Sequence, residues 1–479
     1  MNKAQILENQ LVKFLAALWF VGVLSVFIFY PPYWALMDDA SHLNEASAGF
    51  FKLPLTWWVS HFVKDDFGWG MFRPMYAVFI YLFYGPFSNS PALGYFVLAL
   101  VNFSIFWIWA LLFERSLKCW KPDLKPNSFV IYRYLFFIFC FLFSPNFTLF
   151  FFASLQERLV LLFGALAFYG MLELTQNNIN WKSIFCVITG VLLALFSKAS
   201  ALFLILPIFL WLLILCMSEE KPIFLWVSLV LICLGIGFGY FFLSIRTGYT
   251  SDYKLSLIFS HFFHGGKRFT TPFWFAFATI GVGFFDWRVG KTNDVKKLTA
   301  FLSWPLLLLC YLIIMVPWRA AINYYLITPG GMFWTGCKIL LCFYLATLFA
   351  KKFKYTLLII ILISFGVSIP SAKKFIDSAR DHHIAQEAVQ FLRNDFQENG
   401  TDRLVARMSY PCIEASDAMS FFVGEPKLIQ VLETGNSFPR EPGKRRLLIV
   451  SPECSEIPGG FNSYREIFKH GSWRIYESA

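Results

Sequence analysis

Two adjacent carboxylates, Asp38 and Asp39 in "ALMDDASHLNE", follow an apolar run that ends in "FIFYPPYW". Side-by-side acids at the mouth of a membrane helix repel each other and lose solvation, so they hold there only if paired, hydrated or put to use. Their repulsion raises one of the two pKa values toward the range where a carboxylate exchanges protons usefully. The plainer alternative is a solvated loop pair, with Asp39 as the N-cap of a helix over "SHLNEASAGFF". A second acid pair, Asp65 and Asp66 of "KDDFGWG", offers oxygen ligands to a divalent cation such as Mg or Mn, with His42 as a further candidate. Lys64 beside that pair makes a solvated loop an equal alternative, and no metal is required by the pattern.

Four cations stand out by position: Arg73, held by the rigid Pro74 of "FRPM"; Lys198 of "FSKAS"; and Lys267 with Arg268 in "HGGKRF". Arginine presents a planar fork to phosphate and lysine a point charge. A snorkelling interfacial cation is the ordinary alternative for each. Arg158 of "LQERLVLLF", Arg246 and Arg319 of "PWRAAINYY" are further cations, each at least as well explained as an anchor or ion-pair partner. His261 and His264 share a three-residue spacing but lack a third ligand nearby, which leaves a zinc reading weak. Gly235, Gly237 and Gly239 of "LGIGFGY" lie inside an apolar run, where close helix packing explains them better than a dinucleotide site.

The elements that would position these residues are membrane helices. The 479-residue chain is 57% hydrophobic and only 15% charged, with 59 Phe. Apolar runs of roughly 17–25 residues suit a hydrocarbon core about 30 Å thick. Eleven spans are read, at 11–31, 92–113, 129–147, 155–173, 182–197, 201–217, 223–244, 271–288, 298–317, 332–349 and 355–370. The first lacks a small-residue cleavage site and reads as a retained anchor. Basic residues of alternate loops, among them Arg115, Lys118, Lys121, Lys182, Lys221, Arg288 and Lys351, fall on one side together with the N-terminus, which makes that side cytoplasmic. The net charge of +11 is scattered through these short loops, so it speaks for orientation and not for nucleic acid.

The first long outer loop, 33–91, carries both acid pairs and amphipathic stretches that would lie along the interface. Residues 371–479 change composition and read as a small extracytoplasmic α/β domain, with a helix over "DHHIAQEAVQFLRNDF" and strands at "RLVARMSY", "RRLLIVSPE" and "SWRIYESA". The chain thus divides into a membrane module, 1–370, and that domain. Eight of the ten cysteines lie in or beside apolar runs and read as packing residues. Cys412 and Cys454, outside the cytoplasm in this topology, could pair.

Taken in order, "MDDASHLN", "HFVKDDFGWGMFRPMY" and the span beginning "ALGYFVLALVNFSIFW" resemble the first outer loop of GT-C superfamily glycosyltransferases, most closely the transmembrane O-mannosyltransferases that target cadherins. There an Asp-Asp pair follows the first span, a "DFWG" element comes later and "YRPL" opens a juxtamembrane helix. Here "DDFGWG" carries an inserted residue and "FRPM" stands for "YRPL". "ALFSKASALFLILP" resembles the "LSKE-G" turn between two spans of those enzymes, with Ala199 in place of the acid. The resemblance covers about the first 210 residues, and the helical repeats of that group are absent.

The resemblance implies a membrane enzyme that takes a sugar from a polyprenyl-phosphate carrier and passes it to an acceptor on the outer face, usually with inversion. It makes Asp38 the base, Asp39 its support, and Asp65, Asp66 and His42 acceptor or metal candidates. Arg73, Lys198, Lys267 and Arg268 would meet the donor phosphate. The compact layout resembles bacterial inner-membrane enzymes that decorate lipopolysaccharide O-antigen with a side sugar. A protein O-glycosyltransferase and, in a different class, a lipid or solute transporter are the alternatives.

Overall fold

A computed structural model describes residues 3–33, 43, 46, 74–122, 126–142, 148–151, 156–176, 180–219, 226–228, 230–231, 235, 266–289, 295–315, 329–349, 356–399, 404–408, 429–432, 446–450, 464–470 and 473–478. Helices dominate: α1 Lys3–Phe29, α2 Pro74–Phe87, α3 Pro91–Trp120, α4 Pro126–Leu142, the single turn α5 Thr148–Phe151, α6 Glu157–Gln176, α7 Trp181–Ser197, a 3-10 helix Ala199–Leu204, α8 Ile205–Glu219, α9 Gly266–Val289, α10 Val295–Met315, α11 Gly330–Phe349 and α12 Thr356–Asn399. Every expected span except 223–244, most of which lies outside the described residues, falls mainly on these helices, 201–217 crossing from the 3-10 helix into α8.

Length and composition make four segments fit to cross a membrane unaided: Asn9–Phe29, Pro91–Trp120, Glu157–Thr175 and Lys296–Ile314. Shorter apolar helices run over Phe129–Phe141, Trp181–Ser197, Ser200–Ile214 and Gly330–Leu345. The chain is therefore a helical membrane protein.

Local chemistry explains the helix starts. Pro74, Pro91 and Pro126 each open a helix, where a missing N–H costs nothing and a fixed φ helps. Asn180 caps α7 by accepting from the Ser183 amide at 2.7 Å. Aromatic packing fills the centre: Trp304, fully buried in α10, meets Trp109 at 5.7 Å, Phe113 at 5.0 Å, Phe136 at 5.3 Å and Phe168 at 5.5 Å between ring centroids. These edge-to-face contacts tie α3, α4 and α6 to α10, and each contributes roughly 0.5–1.5 kcal/mol beyond its buried area.

The antiparallel pair α6–α7 approaches more closely than side chains would allow. A Cβ on Gly190 would lie 2.5 Å from the Ala167 nitrogen and 2.7 Å from the Phe163 oxygen, and one on Gly170 2.6 Å from the Ser183 oxygen. The obstacle is backbone, which cannot swing aside. Gly190→Ala is expected to cost about 1–3 kcal/mol and to lower the melting temperature of the purified protein. Gly22→Ala, with nothing within 4 Å of the added carbon, is expected to leave it unchanged. Gly235 fits the same packing role, since its added carbon would meet Ile205 Cδ1 at 3.0 Å.

At one end of the bundle the charges are paired. Arg115 meets Glu173 at 2.6 Å, Glu114 takes both Lys118 at 2.7 Å and Arg133 at 3.0 Å, and Asp286 takes Lys121 at 2.7 Å and the Trp120 indole N–H at 3.1 Å. This is the end that carries Lys121; the opposite end carries Lys198.

Near the C-terminus, β1 Leu404–Met408, β2 Ile429–Leu432, β3 Arg446–Val450, β4 Tyr464–His470 and β5 Trp473–Ser478 form one mixed sheet in the order β2-β1-β3-β5-β4. The β1 strand runs parallel to β2 and β3, while β5 is antiparallel to β3 and β4. The helix before it is longer than the composition suggests: α12 continues without a break through Pro370 to Asn399. The change from apolar to polar residues near 370 is a change of surroundings along one helix, since hydrogen bonding along the backbone does not depend on which solvent the side chains meet.

Candidate functional site

Two helix ends define the Lys198 end of the bundle. The α6 helix begins at Glu157, and α7 finishes at Ser197 with Lys198 extended behind it (φ −159°, ψ 135°) before the 3-10 helix. Because the two helices are antiparallel neighbours, a positive helix start lies beside a negative helix finish. An acid at the first and a base at the second complement both dipoles, and Lys198 Nζ donates to Glu157 Oε1 across the gap. Glu157 is 4% exposed, and its other oxygen, Oε2, is buried without a hydrogen-bond partner among the described residues. The turn expected at "ALFSKASALFLILP" thus exists, and it delivers Lys198 to Glu157.

Arg158, the next residue, is 1% exposed. One guanidinium nitrogen donates to the Leu149 carbonyl at 2.8 Å, the Nε faces Asn102 Oδ1 at 3.5 Å, and the Phe79 ring lies 5.6 Å away. Asn102 donates to the same Leu149 carbonyl at 2.7 Å, and the Tyr95 hydroxyl donates to the Phe151 carbonyl at 3.1 Å. The short turn α5 is therefore held by side chains from α3 and α6 that satisfy backbone oxygens its own length cannot.

That turn reaches further. Phe150 and Phe151 pack on Phe27 near the end of α1 and on Phe375 of α12, and Phe151 stacks on the His382 ring at 5.2 Å. Tyr76 and Tyr84 of α2 are buried in the same core. Segments far apart in sequence converge here: the helix opened by Pro74, the Lys198 turn, the start of α6 and the end of α1.

Of the catalytic, donor-phosphate, acceptor and metal candidates proposed from the sequence, only Lys198 has a described side chain. Lys267 and Arg268 occupy the first turn of α9. Asp38, Asp39, His42, Asp65, Asp66 and Arg73 lie outside the described residues, as do His261, His264, Cys412 and Cys454. Among the described residues no three His, Cys, Asp or Glu side chains gather as a metal-holding group. The sequence offers Arg158 as an anchor or ion-pair partner and gives Glu157 and Asn102 no role. The signal for Asn102 was available, because an amide in the middle of "LALVNFSIFWIWALLF" must find a partner inside an apolar helix.

The fold and this cluster define a helical membrane protein with a buried charged centre at one end of its bundle. Compared with known proteins, the chain matches no family model and no curated protein.

Proposed function

We propose that the protein is an integral membrane glycosyltransferase of GT-C type. It transfers a monosaccharide from a polyprenyl-phosphate carrier to a surface glycan of the O-antigen type, with inversion at the sugar carbon. Eleven crossings in a bacterial inner membrane leave the N-terminus in the cytoplasm and the Lys198 end and C-terminal sheet in the periplasm. Asp38 takes the acceptor proton, with Asp39 in support. Arg73, Lys198, Lys267 and Arg268 are the candidates for the departing phosphate.

The observation that carries this reading is the convergence of the motif-bearing segments on one charged cluster. The helix opened by the proline of "FRPM" brings Phe79 to Arg158, the "FSKAS" turn brings Lys198 to Glu157, and the end of α1 packs through Phe27 on the turn α5, whose Leu149 carbonyl Arg158 holds. Two cations, Arg158 and Lys198, stand at this end of the bundle, and an enzyme handling a lipid phosphate has a use for such a field. The paired charges at the other end suit a cytoplasmic surface.

Mass spectra of surface polysaccharide from cells with and without the gene test the proposal. Loss of one hexose-sized increment on the polysaccharide in the deleted cells is expected. An unchanged polysaccharide with a missing sugar on a surface protein would instead support the protein-glycosylating alternative, and no change in either would overturn the assignment.

A further inference from the structure

The long helix α12 is fastened to the end of α1 through its two adjacent histidines. Pro31, Pro32 and Tyr33 follow α1, and between them they possess a single backbone N–H, that of Tyr33. It donates to the His382 carbonyl at 3.3 Å. The neighbouring His383 sets its Nδ1 3.0 Å from the Pro31 carbonyl. A carbonyl only accepts, so Nδ1 carries the proton in this contact. The Tyr30 ring lies 6.4 Å from the His383 ring, and the His382 ring is stacked on Phe151. Burial raises the Tyr33 phenol pKa above its ordinary value, with Arg393 of the same helix opposing it. The stretch "YPPY" thus lies against α12 over several turns.

One turn beyond, the same helix carries the sheet. Glu387 pairs with His470 of β4, and the rings of Phe391 and Phe468 lie 5.1 Å apart. His383, Glu387 and Phe391 recur every four residues and so share a helix face. A rigid rod therefore joins the C-terminal sheet to the residues immediately before Asp38.

We infer that His383, with the backbone of His382, is a positioning residue that fixes where the Asp38–Asp39 segment leaves the membrane bundle. This rests on the glycosyltransferase reading for its functional half. Asp38 follows Tyr33 by five residue steps, a reach of at most about 18 Å. Pro31 and Pro32 stiffen the anchor itself, so fixing Pro31 and Tyr33 limits how far from that point the carboxylates can stand.

The test uses the full chain in lipid nanodiscs, as wild type, His383→Ala, His383→Asn and His383→Gln. Hydrogen–deuterium exchange is read on a peptide covering residues 27–33. Loss of one hydrogen bond is expected to speed exchange at Tyr33 by on the order of fivefold in His383→Ala and His383→Gln. Asparagine places its amide nitrogen where Nδ1 stood, so His383→Asn is expected to keep the wild-type rate; glutamine places its own one bond too far. In cells making equal amounts of protein, sugar on the polysaccharide is expected to fall several-fold in His383→Ala and to recover in His383→Asn.

Equal exchange in His383→Ala and wild type would overturn the inference whatever the enzyme does. Faster exchange with undiminished sugar transfer would overturn the positioning role. If wild-type cells add no sugar, the functional reading fails by itself, and the exchange rates still decide whether the histidine holds the segment.

Discussion

Arg158→Ala is expected to lower the stability of the protein by about 3 kcal/mol, visible as a fall of several degrees in the melting temperature of the detergent-solubilised chain. Three losses combine. A charge-assisted hydrogen bond to the Leu149 carbonyl disappears, worth roughly 1.5–3 kcal/mol. Truncating a side chain that is 1% exposed leaves a void costing a further 2–5 kcal/mol in comparable buried sites. The cation over Phe79 adds roughly 0.5–2 kcal/mol. Against these stands relief from burying a charge, several kcal/mol in the opposite direction, which brings the net to the stated size. Arg158→Met retains the length of the stem and separates packing from charge; it is expected to lose about half as much. An Arg158→Ala protein that melts like the wild type would show that the turn α5 does not depend on this cation.

Asp38→Asn is expected to reduce sugar transfer by at least ~10²-fold while leaving the melting temperature unchanged. Asparagine keeps the shape of aspartate and its acceptor oxygen but cannot take a proton, so the substitution removes the proposed base and little else. An acceptor hydroxyl attacking the sugar carbon must lose its proton as the bond forms, and no other group of suitable type stands beside Asp38 in sequence except Asp39. Asp39→Asn is expected to have the smaller effect, through loss of its influence on the pKa of its neighbour. Full transfer by a folded Asp38→Asn protein that still binds the donor lipid would end the proposed mechanism. A larger effect from Asp39→Asn would exchange the two roles.

Much of the helical frame was legible in the sequence because apolar runs bounded by proline and charge specify helices almost by themselves. The helix starting at Pro74 and the break at Lys198 were both readable from "FRPM" and "FSKAS". Three of the strands were readable too, at Leu404–Met408, Arg446–Val450 and Trp473–Ser478. The strands Ile429–Leu432 and Tyr464–His470 were not. The first has four residues, and the second mixes Arg, Glu and Lys into its alternation because its faces differ less in burial. The four-residue turn Thr148–Phe151 escaped for a physical reason: its hydrogen-bond partners Tyr95, Asn102 and Arg158 lie 56, 47 and 9 residues away along the chain and come together only in the fold. Periodicity reports what a segment buries; it does not report who satisfies its carbonyls.

The Glu157–Lys198 pair was half visible. Lysine after an apolar run signals a helix finish, but its partner lies 41 residues upstream and is specified by the antiparallel packing of α6 and α7, which the glycine contacts of Gly170 and Gly190 make possible. A single sequence shows glycines without showing which backbones they admit.

The contact between His383 and Pro31 spans 352 residues of sequence, and that separation has a meaning in time. A ribosome adding about 5–20 residues per second needs roughly 20–70 s to make the intervening chain. The acidic loop is synthesised early, yet the helix that holds its leading residues emerges after almost every other membrane segment. A chain that stops short of α12 would carry the carboxylates without the His383 contact, so the proposed reacting centre gains this anchor only once α12 has emerged.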